Sequence, residues 1–191
     1  RLGLGYEELR KVKPDIIMLS TCIHGQTGPH AMHPTLGTQL TALAGFVHLT
    51  GWPDRGPGMP FGAYTDTVVP QFVVTTMLSA LDYRNRTGKG QYIDLSQFEA
   101  SIQFLAPVVL DFTVNNRVAD REGNRSLYAS PHGVYACRGE DRWCAIAVFT
   151  EEEWKSFILA IGEPEWTEDP KLASFSGRKE NEDELDRLVG D

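Results

Sequence analysis

Asp66 is the residue of this chain whose type and position best suit it to chemistry. It follows a segment rich in glycine and proline at 51–62, and an apolar helical pattern begins beside it, with Val69, Val73 and Met77 at i, i+4 spacing. Free amides and the dipole at a helix N-terminus stabilise an anion, and an ionised carboxylate can act as a nucleophile. Aspartate is also a preferred N-cap, and the local pattern alone favours that structural role.

Other catalytic chemistries have no matching motif. The sequence has no phosphate-binding G-x-G-x-x-G or G-x-x-x-x-G-K-[ST], no G-x-S-x-G elbow and no H-E-x-x-H. Cys22, Cys137 and Cys144 lack C-x-x-C spacing, and His30 and His33 belong to no wider ligand pattern. We therefore expect no metal site, no disulfide framework and a reducing, cytoplasmic environment.

Composition excludes two classes of partner. The 191 residues are 41% hydrophobic and 23% charged, as in soluble globular proteins, and no apolar run reaches the length of a membrane span. The net charge is -8, with acidic clusters late in the chain, whereas nucleic-acid binding requires a basic face. We expect neither a nucleic acid nor a membrane as partner. The abrupt ends suggest an internal piece of a longer protein.

The elements that must position Asp66 follow an α/β pattern. A short helix at Tyr6–Val12 precedes a continuous apolar run at 16–20, which predicts a buried parallel strand. Residues 91–95 alternate as a second strand does. Because proline is tolerated only in a first turn, Pro70 predicts that the intervening helix starts near Asp66 or Thr67. A further, mainly apolar helix is predicted from residue 97 to about 114.

The second part of the chain predicts a small α+β domain. Residues 115–126 are polar and turn-rich, and two strands follow, at 133–137 and 142–149. Thr150 and Glu153 form a capping box for the next helix, and a final amphipathic helix starts near Arg178. The predicted organisation is part of a large domain at 1–114, a linker at 115–129 and part of a small domain at 130–191.

Several motifs in a fixed order carry a resemblance to a known family. The most specific is RTGKGQYIDLSQFEA at 86–100. It is accompanied by GQTGP at 25–29, a helix ending in Leu43-Ala44-Gly45, TGWPD at 50–54, GAYTD at 62–66 and SPHGVYACRGEDRWCAIAV at 130–148. Together they resemble the family III CoA-transferases, also called the CaiB/BaiF family, over essentially the whole chain.

The resemblance implies a fold and a reaction. The fold is a Rossmann-like large domain plus a small α+β domain, in an interlocked ring-shaped homodimer whose chains are about twice as long as this one. The reaction transfers CoA from an acyl-CoA to a carboxylic acid, with no permanently bound cofactor. Asp66 is the implied nucleophile, carrying first an acyl anhydride and then a CoA thioester. We expect this chain alone to be inactive.

Further residues carry over from the same resemblance. The residues that match CoA contacts in the family are Arg1, Thr35, Leu36, Gly37 and Thr38. The structural alternative is a plain surface position for Arg1, and helix entry and packing for the residues at 35–38. The loop at 123–133 stands where some relatives have a glycine-rich lid, and its candidate substrate contacts are Asn124, Tyr128 and His132. This loop lacks the glycine run, so a simple connection between domains is the alternative role.

Two alternative functions remain open. One branch of the family racemises 2-methylacyl-CoA with a histidine in a G-H-D motif, and Leu36-Gly37 stands opposite that His-Asp pair. His33 is near but outside the motif, so racemisation is disfavoured. The other alternative is a non-catalytic CoA-binding homologue.

Overall fold

The computed structural model describes residues 3–191, which form two compact units. The first unit comprises 3–51 and 55–121, and the second comprises 52–54 and 122–191. The chain passes between them at 51–52, at 54–55 and at Arg121–Glu122, and the last of these crossings lies within the segment predicted as a linker. The three-part domain division stays a prediction.

The first unit is built on a parallel pair of strands. Ile17 lies opposite Gln91 and Cys22 opposite Ser96, as predicted for two strands joined by a helical crossover. Gly90 allows this pairing, because a Cβ there would lie 2.7 Å from the carbonyl carbon of Ile16. The elements are α1 Tyr6–Val12, β1 Ile17–Cys22, α2 Gly37–Leu43, α3 Phe46–Leu49, α4 Tyr64–Thr87, β2 Gln91–Ser96, α5 Gln97–Ile102, a 3-10 turn Gln103–Leu105 and α6 Ala106–Asn115.

Helix α4 begins earlier than predicted. It starts at Tyr64, so Pro70 lies inside the helix and not in its first turn. Proline has no N–H, so the helical hydrogen bond that would reach the carbonyl of Asp66 from position 70 is not made. Packing compensates for that loss, because Val68 and Val69 are buried against Ala100 of α5.

The prediction of one continuous helix over 97–114 is wrong. This segment is divided into α5, the 3-10 turn and α6, and Pro107 stands in the first turn of α6. Proline has no N–H, so the α-helical hydrogen bond from position 107 to the Gln103 carbonyl is not made, and that carbonyl accepts instead from the Ala106 N–H of the 3-10 turn.

The second unit packs three helices near an antiparallel hairpin. Its core holds Val148, Trp154, Leu172 and Leu185. The predicted capping box is confirmed, because Glu153 N donates to Thr150 Oγ1 at 3.1 Å and Glu153 Oε2 accepts from Thr150 N at 3.2 Å. The predicted final helix is split at Asn181. The elements are β3 His132–Ala136, β4 Trp143–Ala147, α7 Glu151–Ala160, 3-10 turns Glu165–Glu168 and Pro170–Leu172, α8 Phe175–Glu180 and α9 Glu182–Gly190.

A buried arginine joins the parts of this second unit. Arg178 is 1% exposed and pairs with Glu151 through two hydrogen bonds, of 2.9 and 3.2 Å. Its guanidinium also donates to the carbonyls of Ser130 and Leu172, both at 3.2 Å, and lies 4.6 Å from the centre of the Trp154 ring. The pairing lowers the pKa of the Glu151 carboxyl, chiefly through the hydrogen bond from Arg178.

Candidate active site

Asp66 is the third residue of α4 and its side chain is exposed. The N-cap of the helix is Ala63, whose carbonyl accepts from the Asp66 N–H at 2.9 Å. The alternative role of Asp66 as the N-cap is therefore wrong. Its carboxylate stands within the first turn, where backbone N–H groups lack helical partners and favour an anion.

One side of the carboxylate is held by an amide. Gln97 Nε2 donates a hydrogen bond to Asp66 Oδ1 across 31 residues of chain. Gln97 is the first residue of α5 and directly follows β2. Gln97 was not among the predicted site residues, although its position after a parallel strand, at the end where α/β proteins bind their ligands, was a usable signal.

The other side of the carboxylate lies against Gly37, which has no side chain. A Cβ added at Gly37 would lie 2.6 Å from both Cγ and Oδ1 of Asp66, and nearer still to Oδ2. Glycine at this first position of α2 therefore leaves the space that the Asp66 carboxylate occupies, and a larger residue would displace that carboxylate. The Gly37 carbonyl accepts from Thr41 Oγ1 at 2.8 Å and from Thr65 Oγ1 at 3.3 Å, which fastens α2 to α4.

The segment after β1 is fixed to the same edge of the sheet. Gln26 N donates to Asp94 Oδ2 at 2.8 Å, and Ser96 Oγ donates to the Ile23 carbonyl at 3.3 Å. Gly25 is buried with a φ of 81°, which an L side chain rarely adopts. The GQTGP motif is thus a turn anchored to β2, beside the strand end that leads into Gln97.

These contacts leave a carboxylate oxygen of Asp66 accessible with a defined direction. Gln97 and Gly37 orient the carboxylate from two sides, while its exposure leaves it accessible to an electrophile. Within residues 3–191 no group of three His, Cys, Asp or Glu side chains is arranged to hold a metal ion. Over the same residues no helix is both long and apolar enough to cross a membrane.

The other predicted site residues of the first unit lie near Gly37 in the chain. Thr35 Oγ1 is 2.8 Å from His24 Nε2, and the Leu36 N–H donates to Gln39 Oε1 at 2.9 Å. The side chains of Leu36 and Thr38 are exposed. Arg1 lies outside the described residues. Of this predicted set, the structure brings Gly37 against Asp66.

The loop candidates belong to the second unit. Asn124 and His132 meet there, through a hydrogen bond between His132 Nδ1 and the Asn124 carbonyl oxygen. The Tyr128 side chain is exposed and its N–H donates to Ser126 Oγ at 3.2 Å. Beside them, burial and a hydrogen bond to Asp186 raise the pKa of the Tyr135 hydroxyl. Substrate contact by this loop stays a prediction.

Comparison with known proteins decides the family. The family model described as CoA-transferase family III matches residues 1–191, which is the whole chain. This chain belongs to CoA-transferase family III. The predicted family is confirmed, and the Asp66 site described above lies in the part of the chain that the match covers.

Curated CoA-transferases are similar to this chain over nearly all of its length. An acetyl-CoA:oxalate CoA-transferase of Acetobacter aceti is 34% identical over 97% of this chain and 47% of its own length. A succinyl-CoA–D-citramalate CoA-transferase of Chloroflexus aurantiacus is 29% identical over 98% of this chain and 46% of its own. The chain therefore spans about half the length of the curated relatives it matches.

A solved structure confirms the fold class. A CaiB/BaiF family protein from Brucella suis superimposes with a TM-score of 0.87 at 29% identity, covering 98% of this chain and 49% of that one. The mixed α/β fold predicted from the sequence is that of the family. The two units described here thus correspond to about half of a family III chain.

Proposed function

We propose that the full-length protein containing this chain transfers CoA from an acyl-CoA to a carboxylic acid, with Asp66 as nucleophile. The observation that carries the proposal is the exposed Asp66 carboxylate, oriented by Gln97 and packed on Gly37 in a family of CoA-transferases. A carboxylate suits CoA transfer because its anhydride and its thioester are both activated, so neither half-reaction is steeply uphill.

The proposed reaction has two symmetrical halves. An Asp66 oxygen attacks the thioester carbonyl, the C–S bond breaks, and CoA thiolate leaves an acyl anhydride on Asp66. The thiolate then attacks the Asp66 carboxyl carbon, which releases the donor acid as its carboxylate and forms an aspartyl-CoA thioester. The acceptor carboxylate next attacks this thioester and expels CoA thiolate, which leaves a mixed anhydride of Asp66 and the acceptor acid. The thiolate then attacks the acyl carbon of the acceptor, which forms the acceptor's CoA thioester and releases the Asp66 carboxylate. No net proton is consumed.

The acceptor class follows from the relatives. The acids in the names of similar enzymes are oxalate, D-citramalate and, for a relative from Mus musculus that is 28% identical over 98% of this chain, glutarate. Each of these acids carries two carboxylates. We therefore propose a dicarboxylic acid as acceptor, with an acyl-CoA as donor and no permanently bound cofactor.

The remaining features of the proposal come from the family resemblance. They are CoA contacts by Arg1 and by Thr35, Leu36, Gly37 and Thr38, an interlocked homodimer and a cytoplasmic location. Substrate contact by Asn124, Tyr128 and His132 belongs to the same proposal.

The deciding experiment replaces the nucleophile in the full-length protein. Asp66→Asn keeps the size of the side chain and its acceptor oxygen, but we expect CoA exchange to fall at least about a thousandfold. Asp82→Asn is the matched control, because Asp82 lies on the same helix and pairs with Arg86 at 2.8 Å on an exposed face. We expect that variant to retain normal exchange.

A trapping experiment identifies the intermediate directly. Hydroxylamine added with an acyl-CoA should convert Asp66 to its hydroxamate, detectable by peptide mass spectrometry, and no hydroxamate should form without the acyl-CoA. Full exchange activity in Asp66→Asn would refute the proposal. Deuterium incorporation at the acyl α-carbon without an acceptor acid would indicate the racemase alternative instead.

A further inference from the structure

Three of the chain's histidines converge on one cavity of the first unit. The cavity has a volume of about 490 Å³, and His24, His30 and His33 line it together with Thr27, Ser96 and Phe98. The ring centroids lie 6.0 Å apart for His24 and His30, 5.9 Å for His24 and His33, and 6.4 Å for His30 and His33. The sequence pattern of His30 and His33 did not predict this cluster, because its third member, His24, lies on the other side of the GQTGP turn.

We interpret the three histidine rings as hydrogen-bond donors and not as ligands of a metal ion. No three ligands suitably placed for a metal ion occur among the described residues, and these histidines are no exception. His24 is held in place, because its Nε2 lies 2.8 Å from Thr35 Oγ1 and its ring packs 6.1 Å from that of Phe98. Each neutral imidazole has one N–H donor and each imidazolium has two, so the cluster presents donors to an oxyanion.

The walls of this cavity are the segments that hold Asp66. Gln97, which donates to the Asp66 carboxylate, stands between Ser96 and Phe98 in the chain. Thr35, which contacts His24, precedes Gly37 by two residues, and two residues span at most about 7 Å. A ligand group in the cavity therefore lies at the carboxyl end of β2, beside the residue that contacts Asp66.

We infer that this cavity binds the second carboxylate of the acceptor acid, with His30 and His33 as donors. The inference rests on the proposed function and specifies its substrate class. Glu99 also lines the cavity, so its carboxylate, which has the same charge as the ligand group, weakens binding there. The phosphates of CoA are the other oxyanions in the reaction, and the experiment must separate the two.

The experiment compares acids that differ by one carboxylate. In the full-length protein we expect His30→Leu and His33→Leu each to reduce kcat/KM for glutarate about tenfold, and to change kcat/KM for valerate less than about threefold. The KM for the acyl-CoA donor should stay unchanged. Glu99→Gln should act in the opposite direction and improve kcat/KM for glutarate about two- to fivefold. His48→Gln, at an exposed histidine outside this cavity, is the control.

Three outcomes would overturn the inference. The first is an equal loss of kcat/KM for glutarate and for valerate. The second is a rise in the KM for acyl-CoA alone, which would mean that the histidines bind a phosphate of CoA. The third is unchanged kinetics in the double leucine variant. Glutamine at positions 30 and 33 retains a donor, so His30→Gln and His33→Gln should recover most of the glutarate activity and also serve if a leucine variant does not fold.

A measurement without turnover separates this inference from the proposed function. Isothermal titration of the unsubstituted full-length protein should show glutarate binding at least about tenfold tighter than valerate, and the double leucine variant should lose that preference. If the protein does not transfer CoA but binds glutarate more tightly than valerate, the proposed function is refuted and the inference about the histidine cavity is supported. If CoA transfer occurs but glutarate binds no more tightly than valerate, only the inference about the histidine cavity is refuted.

Discussion

Substituting Gly37 by alanine tests how closely Asp66, the proposed nucleophile, is held. The added Cβ would lie 2.6 Å from Asp66 Cγ and Oδ1, whereas real Cβ contacts stay above 3.0 Å, so the carboxylate must move. Oδ2 is nearer and must move further, on the order of 1 Å, a displacement that costs a catalytic group about a hundredfold in rate. The same movement weakens the hydrogen bond from Gln97. We therefore expect kcat for CoA exchange to fall about a hundredfold.

Stability should respond differently from rate. Asp66 is exposed and can rotate into solvent, so the clash is relieved without disturbing the core. Alanine is also favoured over glycine in a helix by up to about 1 kcal/mol, so we expect the free energy of unfolding to change by no more than that amount.

Steady-state CoA exchange and urea unfolding of the full-length protein measure the two quantities. Gly190→Ala is the matched control, because it also lies in a helix and its Cβ would meet only Tyr135, at 3.9 Å. We expect that variant to keep normal kcat. Undiminished exchange in Gly37→Ala, or parallel losses of rate and stability, would refute the reasoning.

Three other predictions follow from single contacts. Gln97→Ala should lower kcat about tenfold, because Asp66 loses its amide donor, while the exposed Gln103→Ala should not; equal rates in the two variants would contradict this. Arg178→Met should reduce the free energy of urea unfolding by about 3 kcal/mol, because two buried carbonyls lose a donor, whereas Arg187→Met at an exposed pair should cost less than about 0.5 kcal/mol. Because Arg178 lowers the pKa of Glu151 below its ordinary 4.5, the ionised carboxylate stabilises the fold above pH 4.5, and that contribution is lost as the pH falls through the lowered pKa. Glu151→Gln should flatten the unfolding profile in that acidic window, and an unchanged profile would exclude the linkage.

Local sequence pattern predicted the elements whose determinants are local. The strand after Tyr6–Val12, the strand at 91–95 and the Thr150 capping box are confirmed, because each depends on neighbours within a few residues. Two of the errors, the start of α4 and the continuity of the helix over 97–114, occur at prolines. Pro70 is tolerated inside α4 because Val68 and Val69 are buried against α5, and no local signal reports that packing.

The site was predictable only in part. The order of the motifs pointed to Asp66, and physical reasoning about helix termini supported its charge. The roles of Gln97 and Gly37 depend on contacts from distant segments, 31 residues away for Gln97, and single-sequence spacing does not reveal such contacts. The convergence of His24 with His33 likewise depends on the turn anchored by Asp94, which only the folded chain shows.

The parallel pairing of β1 with β2 has a consequence for the order of events during synthesis. The bond from Gln26 to Asp94 closes a span of 68 residues, with the whole of α4 inside it. At roughly 5–20 residues per second a ribosome needs about 3–14 s to make that span. During that time β1 has been made without β2. Asp66 waits a shorter time for Gln97, about 2–6 s for the 31 residues between them. The Asp66 carboxylate is therefore made before the amide that orients it, and it acquires that contact only when the residue after β2 has been added.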